Sequence, residues 1–272
     1  MIIALDAGHS LVTAGKRIPI NIANIVGNMH EWEFNSAVAN KVANKLSEYE
    51  NISTFRSDDT TGNTDIPLNT RVKNINAKGA NLVISIHANA GGGTGIETFV
   101  YKKTLVGSMN VATVIQRNII AYTGLKDRGV KADNFAIVRD TKMNAVLIEC
   151  GFMDTLGDAK LLVSDGYREQ VANSIIASLV ELYGLKKKAT VNVVIPPVVI
   201  NTPAKPIVNN TERTFAVGNT VYIKLLASRY VTGEKIPGFI KLRKHTIQQI
   251  NLKQKKALLK EIQSWVYLAD LK

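Results

Sequence analysis

Few side chains in this sequence carry strong chemistry, and they gather at the ends of apolar runs. IIALD at 2–6 leads into Ala7, Gly8 and His9, LVISI leads into His87, Ala88 and Asn89, and AVLI leads into Glu149. Two imidazoles and a carboxylate are thus delivered by three separate segments. A further carboxylate is available from the amphipathic stretch that opens at Glu31. At 100° per residue Glu31 lies about 20° from Val38, on the inward stripe, whereas Glu33 falls within about 40° of Ala37 on the wetter face. His9, Glu31 and His87 would together make a zinc site with an open fourth position, where a bound water has its pKa drawn to about 7. Glu149 then suits a non-ligating general base.

Packing competes with each of these assignments. A lone histidine at a strand end is commonly core or surface, and these ligands are scattered, without a compact motif such as HExxH. A glutamate closing an apolar strand is harder to explain that way, because an unpaired buried carboxylate costs several kcal/mol. His30 points about 100° away from Glu31 and is not a candidate. His245, in the basic tail, reads as structural. Cys150 has no assigned histidine partner and reads as packing. Ser10 lacks a nucleophile-elbow context, which disfavours a serine hydrolase. GGGTG at 91–95 lacks the Lys-Ser/Thr of a P-loop and reads as a flexible loop beside the site.

The elements that must position these groups follow from periodicity. Runs at 2–6, 82–87, 135–138 (FAIV) and 145–151 are short, apolar and not alternating, which suits strands buried on both faces. Between them, the stretch 31–49 places Phe34, Val38, Val42, Leu46 and Tyr49 on one stripe and Asn40, Asn44 and Ser47 on another. Further helices are expected at 105–122 and 167–183, the latter with Val171, Ile175, Leu179 and Leu182 on one face. The alternation predicts an α/β domain with a mainly parallel, twisted sheet flanked by helices, and such sheets bind ligands beyond the carboxyl ends of their strands.

Composition adds a second piece. The 272 residues are 46% hydrophobic and 21% charged, enough for a real core, and the single cysteine excludes an intramolecular disulfide or a cysteine-built zinc finger. The opening MIIALDAGHS has no basic n-region or long apolar h-region, and no run reaches the roughly 18 apolar residues of a spanning helix. A product made in the cytoplasm without a signal peptide, and not inserted in a membrane, is therefore expected. Net charge is +12, yet residues 1–185 hold 18 basic and 18 acidic side chains, so residues 186–272 carry the whole surplus with 16 basic and 4 acidic. That tail should be drawn to a polyanion. Four prolines between 196 and 206 mark a Pro-rich tether at 186–212. It separates a domain at 1–185 from one at 213–272, where VYIKL, HTIQQI, ALLKEI and SWVYLADL suggest a small all-β, SH3-like barrel. Tyr222, Tyr230, Phe239, Trp265 and Tyr267 are its candidate groove residues, with Tyr230 and Trp265 favoured, although aromatic residues in so small a barrel are often core.

DAGHS, EWEFN, SIHANAGGGTG and NFAIVRDTKMNAVLIECGFMD, in that order over residues 1–185, resemble the zinc-dependent N-acetylmuramoyl-L-alanine amidases of the type 3 family, which includes sporulation autolysins and phage endolysins. The resemblance implies that His9, Glu31 and His87 bind zinc and that Glu149 activates water. It also implies cleavage of the amide between the lactyl group of N-acetylmuramic acid and the L-alanine of the peptidoglycan stem peptide. Two departures are Ala7, where the family often has proline, and Asn144, likewise. The tail is similar to SH3-type cell-wall-binding domains, which implies anionic wall polymers rather than nucleic acid as its partner. The expected whole is a lytic enzyme, of the bacteriophage endolysin type before the mother-cell lysin type, that reaches the wall after release. Another zinc-dependent wall hydrolase, a peptidase or deacetylase, and a non-catalytic wall-binding protein are the alternatives.

Overall fold

The computed structural model describes residues 1–103, 105–188, 215–224, 229–233, 236, 244–260, 262 and 264–271. It divides into two compact units, Met1–Lys188 and Ala189–Lys272.

The first unit begins with β1 (Ile2–Ala7), α1 (Ile20–Val26), α2 (Glu31–Leu46), β2 (Ser53–Arg56), α3 (Leu68–Ala77) and β3 (Leu82–Asn89). It continues with β4 (Ile96–Tyr101), α4 (Val106–Thr123), β5 (Asp127–Asp133), α5 (Ala136–Arg139), β6 (Asn144–Phe152), α6 (Leu156–Leu162) and α7 (Asp165–Tyr183). Its sheet has the order β2-β1-β3-β6-β4-β5. Neighbours are parallel except β4 and β6, so β4 and β5 run against the other four strands. The central strands are covered on both faces, and accordingly Leu82, Val83, Ile84 and Ile86 are all fully buried.

One face packs against α2, α4 and α7. Phe34, Val38, Val42 and Leu46 bury the stripe read from the sequence, together with Val171, Ile175 and Leu179 of α7. Asn40, Asn44 and Ser47 are exposed. The other face carries Ala4, Val83, Phe99 and Leu147, and is covered by Val72 and Ile75 of α3 with Ile137 and Val138 of α5. FAIV, expected as a strand, is here largely the short helix α5. The chain must cross over β4 to pass from β5 to β6, and a helical turn lying on the sheet buries the adjacent Ile137 and Val138 together. A strand would send neighbouring residues to opposite faces.

Composition placed Lys186–Lys188 in the tether, yet these residues pair with the first unit: Glu50 N–H donates to Lys186 O (2.9 Å) and Lys188 N–H to Glu48 O (2.7 Å). Residues 189–212 of the tether lie outside the described residues.

In the second unit, β7 (Thr220–Val221), β8 (His245–Asn251), β9 (Lys256–Leu259) and β10 (Ser264–Tyr267) form an antiparallel sheet in the order β10-β9-β8-β7. Val221, Ile223, Ile236, Ile247, Ala257, Leu259, Val266 and Leu271 make its small core. Two expected strands end early, at Leu259 and at Tyr267, the latter passing into a 3-10 turn over Leu268–Asp270. Tyr230 packs against this core, Trp265 is half-buried in β10, Tyr267 is exposed, and Phe239 lies outside the described residues.

Candidate active site

The loop leaving β1 brings the first candidate into place. Gly8 N–H donates to Ile86 O (3.1 Å), which presses the loop against the end of β3. A β-carbon on Gly8 would sit 2.0 Å from Cε1 of His87, so only glycine allows the imidazole to lie there. His9 follows with φ of 63°, a left-handed conformation that costs a non-glycine residue about 1 kcal/mol or more. Arg71, fully buried on α3, holds that turn. Its Nη1 donates to Ala7 O (2.7 Å) and Asp6 Oδ1 (3.0 Å), its Nη2 to His9 O (2.9 Å), and its Nε to Ile66 O (2.8 Å). Ser57 and Ser85 each donate to Asp6 at 2.6 Å. Burial works to raise the Asp6 carboxyl, but Arg71 and these hydroxyls hold it below its ordinary value.

Glu31 reaches the site because it is the first residue of α2. Glu33 is spent elsewhere: it accepts from His30 N–H (2.6 Å) and closes the helix N-terminus, the role its position on the wet face favours. Asn35, one turn after Glu31, donates to Gly8 O (3.0 Å) and to Glu31 Oε1 (3.4 Å), tying loop and helix together. Glu31 Oε1 also accepts from Ala88 N–H (3.1 Å) and faces His87 Nδ1 (3.0 Å). Glu31 Oε2 is buried and takes no hydrogen bond among the described residues, while His9 Nε2 lies 3.4 Å and Lys16 Nζ 3.9 Å from it.

One ligand atom from each of His9, Glu31 and His87 lies within 4.8 Å of the others. The two imidazole rings meet edge to face with centroids 5.1 Å apart. Burial pushes His9 down to about 4, favouring the neutral form that a metal requires. Burial would raise Glu31, but the hydrogen bond from His87 and the two imidazoles hold it low, as a carboxylate. A buried carboxylate with one oxygen facing each of two imidazoles is a donor set that suits zinc. Glu149 lies across the sheet from His87, its register partner on β6, and does not join this cluster. Its Oε2 is buried without a hydrogen bond among the described residues, and burial pushes the carboxyl up to about 7.

The sequence profile of the N-acetylmuramoyl-L-alanine amidases (Amidase_3) matches residues 3–181. The chain belongs to this amidase family. It is 34% identical over 144 residues to an N-acetylmuramoyl-L-alanine amidase of Bacillus licheniformis, covering 53% of this chain and 56% of that protein. It is 38% identical over 126 residues to an endolysin of Bacillus phage SPP1, covering 44% and 46%. The chain thus spans about half the length of these curated relatives. Among solved structures, an N-acetylmuramoyl-L-alanine amidase from Clostridium difficile 630 superposes with a TM-score of 0.60 at 32% identity, over 66% of this chain and 95% of that one.

In this amidase-family domain His9, Glu31 and His87 cluster, Glu149 stands beside His87 on the neighbouring strand, and residues that were not foreseen surround them. The GGGTG run, expected as a flexible loop, is stapled to the turn after β6 and to α6. Asp154 accepts from Gly91 N–H (2.6 Å) and Gly92 N–H (2.8 Å), and Asp158 from Thr94 Oγ1 (2.8 Å) and Gly95 N–H (2.9 Å). Glu97, buried in β4, is the register partner of Glu149 on the side away from His87. It was legible as a charge interrupting the apolar run IETFVY; Arg71 left no such local trace. Cys150 is buried, and Ser10 Oγ shares a hydrogen bond with Thr13 Oγ1 (3.0 Å) inside the turn after His9. Tyr230 and Trp265 belong to the second unit and are not part of this cluster.

Proposed function

We propose that the first unit hydrolyses the amide between the lactyl group of N-acetylmuramic acid and the L-alanine of the stem peptide, with His9, Glu31 and His87 holding a zinc ion and Glu149 as general base. The observation that carries this reading is Glu31, a buried carboxylate that faces His87 with Oε1 and His9 with Oε2, the latter taking no hydrogen bond among the described residues. Bound there, zinc supplies Lewis acidity toward the substrate carbonyl and lowers the pKa of a water. Glu149 would act as the general base, taking a proton from the attacking water and returning it to the departing amino group of L-alanine. Asn35 and the Ala88 amide fix Glu31 Oε1, so its second oxygen stays turned toward His9. Arg71 holds the His9 turn in its left-handed conformation from below.

We read the second unit as an SH3-like wall-binding module. Its short antiparallel strands around an apolar core and the basic surplus after residue 188 support this, as does Lys256 Nζ 4.8 Å over the Trp265 ring. Tyr230 and Trp265 are the proposed contacts to the wall, and anionic wall polymers the proposed partner of the basic surface. A tethered module raises the effective concentration of enzyme at a polymeric substrate. Such a protein, made in the cytoplasm and released to the wall, would lyse cells, as an endolysin or a sporulation lysin does.

The test is mass spectrometry of purified Gram-positive peptidoglycan digested by zinc-loaded and by chelated protein. Metal-dependent release of L-alanine amino termini from intact glycan is expected. Cleavage at another bond would replace the amidase reading with a peptidase or deacetylase.

A further inference from the structure

His87, Glu149 and Glu97 form a row across β3, β6 and β4, set by the register of the sheet. The row continues into β5. There the pairing of β4 with β5 slips between Ile96↔Asp127 and Thr98↔Val130, so Arg128 and Gly129 both stand opposite Glu97. Gly129 has φ of 79°, and Asp127 Oδ1 accepts its N–H (2.8 Å). A bulge of this kind re-aims a side chain, and here it is Arg128.

Arg128 is anchored at two points. Its Nε donates to Glu97 Oε2 (2.6 Å), and its guanidinium lies 4.8 Å from the centroid of the Phe152 ring at the end of β6. Lys131 Nζ bonds the same Glu97 oxygen, while Asn89 Nδ2 donates to the other (2.8 Å). Both oxygens of Glu97 are therefore engaged, and two cations share one of them. Among the described residues no hydrogen bond takes up either Nη group of Arg128. The side chains of Arg128 and Lys131 are 26% and 39% exposed, against 4% for Glu97, so the surplus positive charge faces outward. A guanidinium fixed by its Nε edge with both Nη groups open is built to receive a carboxylate through two parallel bonds.

From this geometry we infer that Arg128, with Lys131 beside it, forms a carboxylate-binding subsite for the stem peptide of the substrate. The inference rests on the amidase reading above and adds where the peptide runs. Arg128 stands two strand spacings from Glu149, roughly 9.6 Å along the row. An extended peptide advances about 3.3–3.6 Å per residue, so a carboxylate on the second or third stem residue falls within reach of the guanidinium. Arg128 acts here as a specificity-determining residue, because it selects stems that carry a free carboxylate over stems in which it is amidated.

The test compares synthetic muramyl peptides with a carboxylate or a carboxamide at the second residue, and others with or without a side-chain carboxylate at the third. Zinc-loaded wild type should lose at least tenfold in kcat/KM when the recognised carboxylate is amidated, and the two series tell which residue supplies it. Arg128→Lys keeps a cation on Glu97 and should melt near the wild-type temperature, yet lose most of that discrimination through KM while kcat stays within twofold. Discrimination unchanged in Arg128→Lys, or absent in the wild type, would overturn the subsite. A second arm needs no turnover: calorimetric titration of free stem tripeptide into zinc-loaded Glu149→Gln, with and without Arg128→Lys, should show binding weakened at least fivefold for the carboxylate form only. If the wild type cleaves no muramyl peptide, the amidase reading fails, and this binding difference still decides the subsite.

Discussion

His87 and Glu149 are register partners in the parallel pair of β3 and β6, which puts a ligand candidate and the proposed base about one strand spacing, ~4.8 Å, apart on one face of the sheet. The two residues should therefore separate cleanly in mutants. Glu149→Gln is expected to keep stoichiometric zinc and lose roughly 10²–10⁴-fold in turnover, whereas His87→Ala loses both. Elemental analysis of the purified variants beside a muramyl peptide assay measures this; normal hydrolysis by Glu149→Gln would remove it from the mechanism.

The buried Glu149 carboxyl also makes a prediction about pH in the chelated protein. Its folded pKa of about 7 lies above the ordinary 4.5. Folding therefore binds a proton, and the associated stability is present below about pH 4.5 and is lost as pH rises through 7. Glu149→Gln has no such loss. Urea unfolding at pH 5 and pH 8 should show the variant gaining on the metal-free wild type by on the order of 3 kcal/mol at the higher pH. A difference that does not change with pH would mean that burial does not hold the proton on Glu149.

Arg71 makes five hydrogen bonds, three of them to the Asp6–His9 stretch that presents the imidazole and two to Asp65 and Ile66, and it pairs with an equally buried Asp6. Arg71→Met should cost about 3–5 kcal/mol of stability, the range for breaking a buried pair from one side. Zinc affinity should fall with it, since His9 O loses its donor. Competition against a chromophoric chelator reads the affinity, and an unchanged value would confine Arg71 to stability alone.

Gly8 and Gly79 separate steric from conformational effects. Gly8→Ala drives a methyl group into the His87 ring, 2.0 Å away, and should weaken zinc binding by displacing the imidazole. Gly79→Ala, at φ of 61° with nothing within 4 Å, should lose about 1 kcal/mol of stability and leave zinc binding alone. Equal zinc affinity in the two variants would show that His87 has room to move.

A chain ending at Lys188 should retain zinc and hydrolyse soluble muramyl peptides, because the first unit holds every candidate catalytic residue. It should lose the salt-sensitive part of binding to purified walls, which the basic second unit is proposed to supply. Sedimentation with walls at low and high salt compares the two chains, and identical binding would strip the second unit of that role.

Local pattern settled much of this protein. The apolar runs of β1, β3 and β6 and the stripe Phe34, Val38, Val42 and Leu46 are visible in sequence because burial on two faces of a strand, or one face of a helix, is a property of near neighbours. The same periodicity set Glu31 apart from Glu33, and the apolar runs led to His9 just past β1 and to His87 and Glu149, although β3 and β6 continue to Asn89 and Phe152 beyond the ends expected. Half-exposed β2, and β4 and β5 with their reversed direction, left weaker patterns, and the four apolar residues of FAIV were too few to tell a strand from a helical turn. The supports of the site were decided only in the folded chain. Arg71 meets Asp6 across 65 residues, Asp154 reaches Gly91 across 63, and the bulge that turns Arg128 onto Glu97 exists only once β4 and β5 are paired. Pairwise polar contacts between distant segments have no period along the chain, so they become legible only when the sheet brings their strands together.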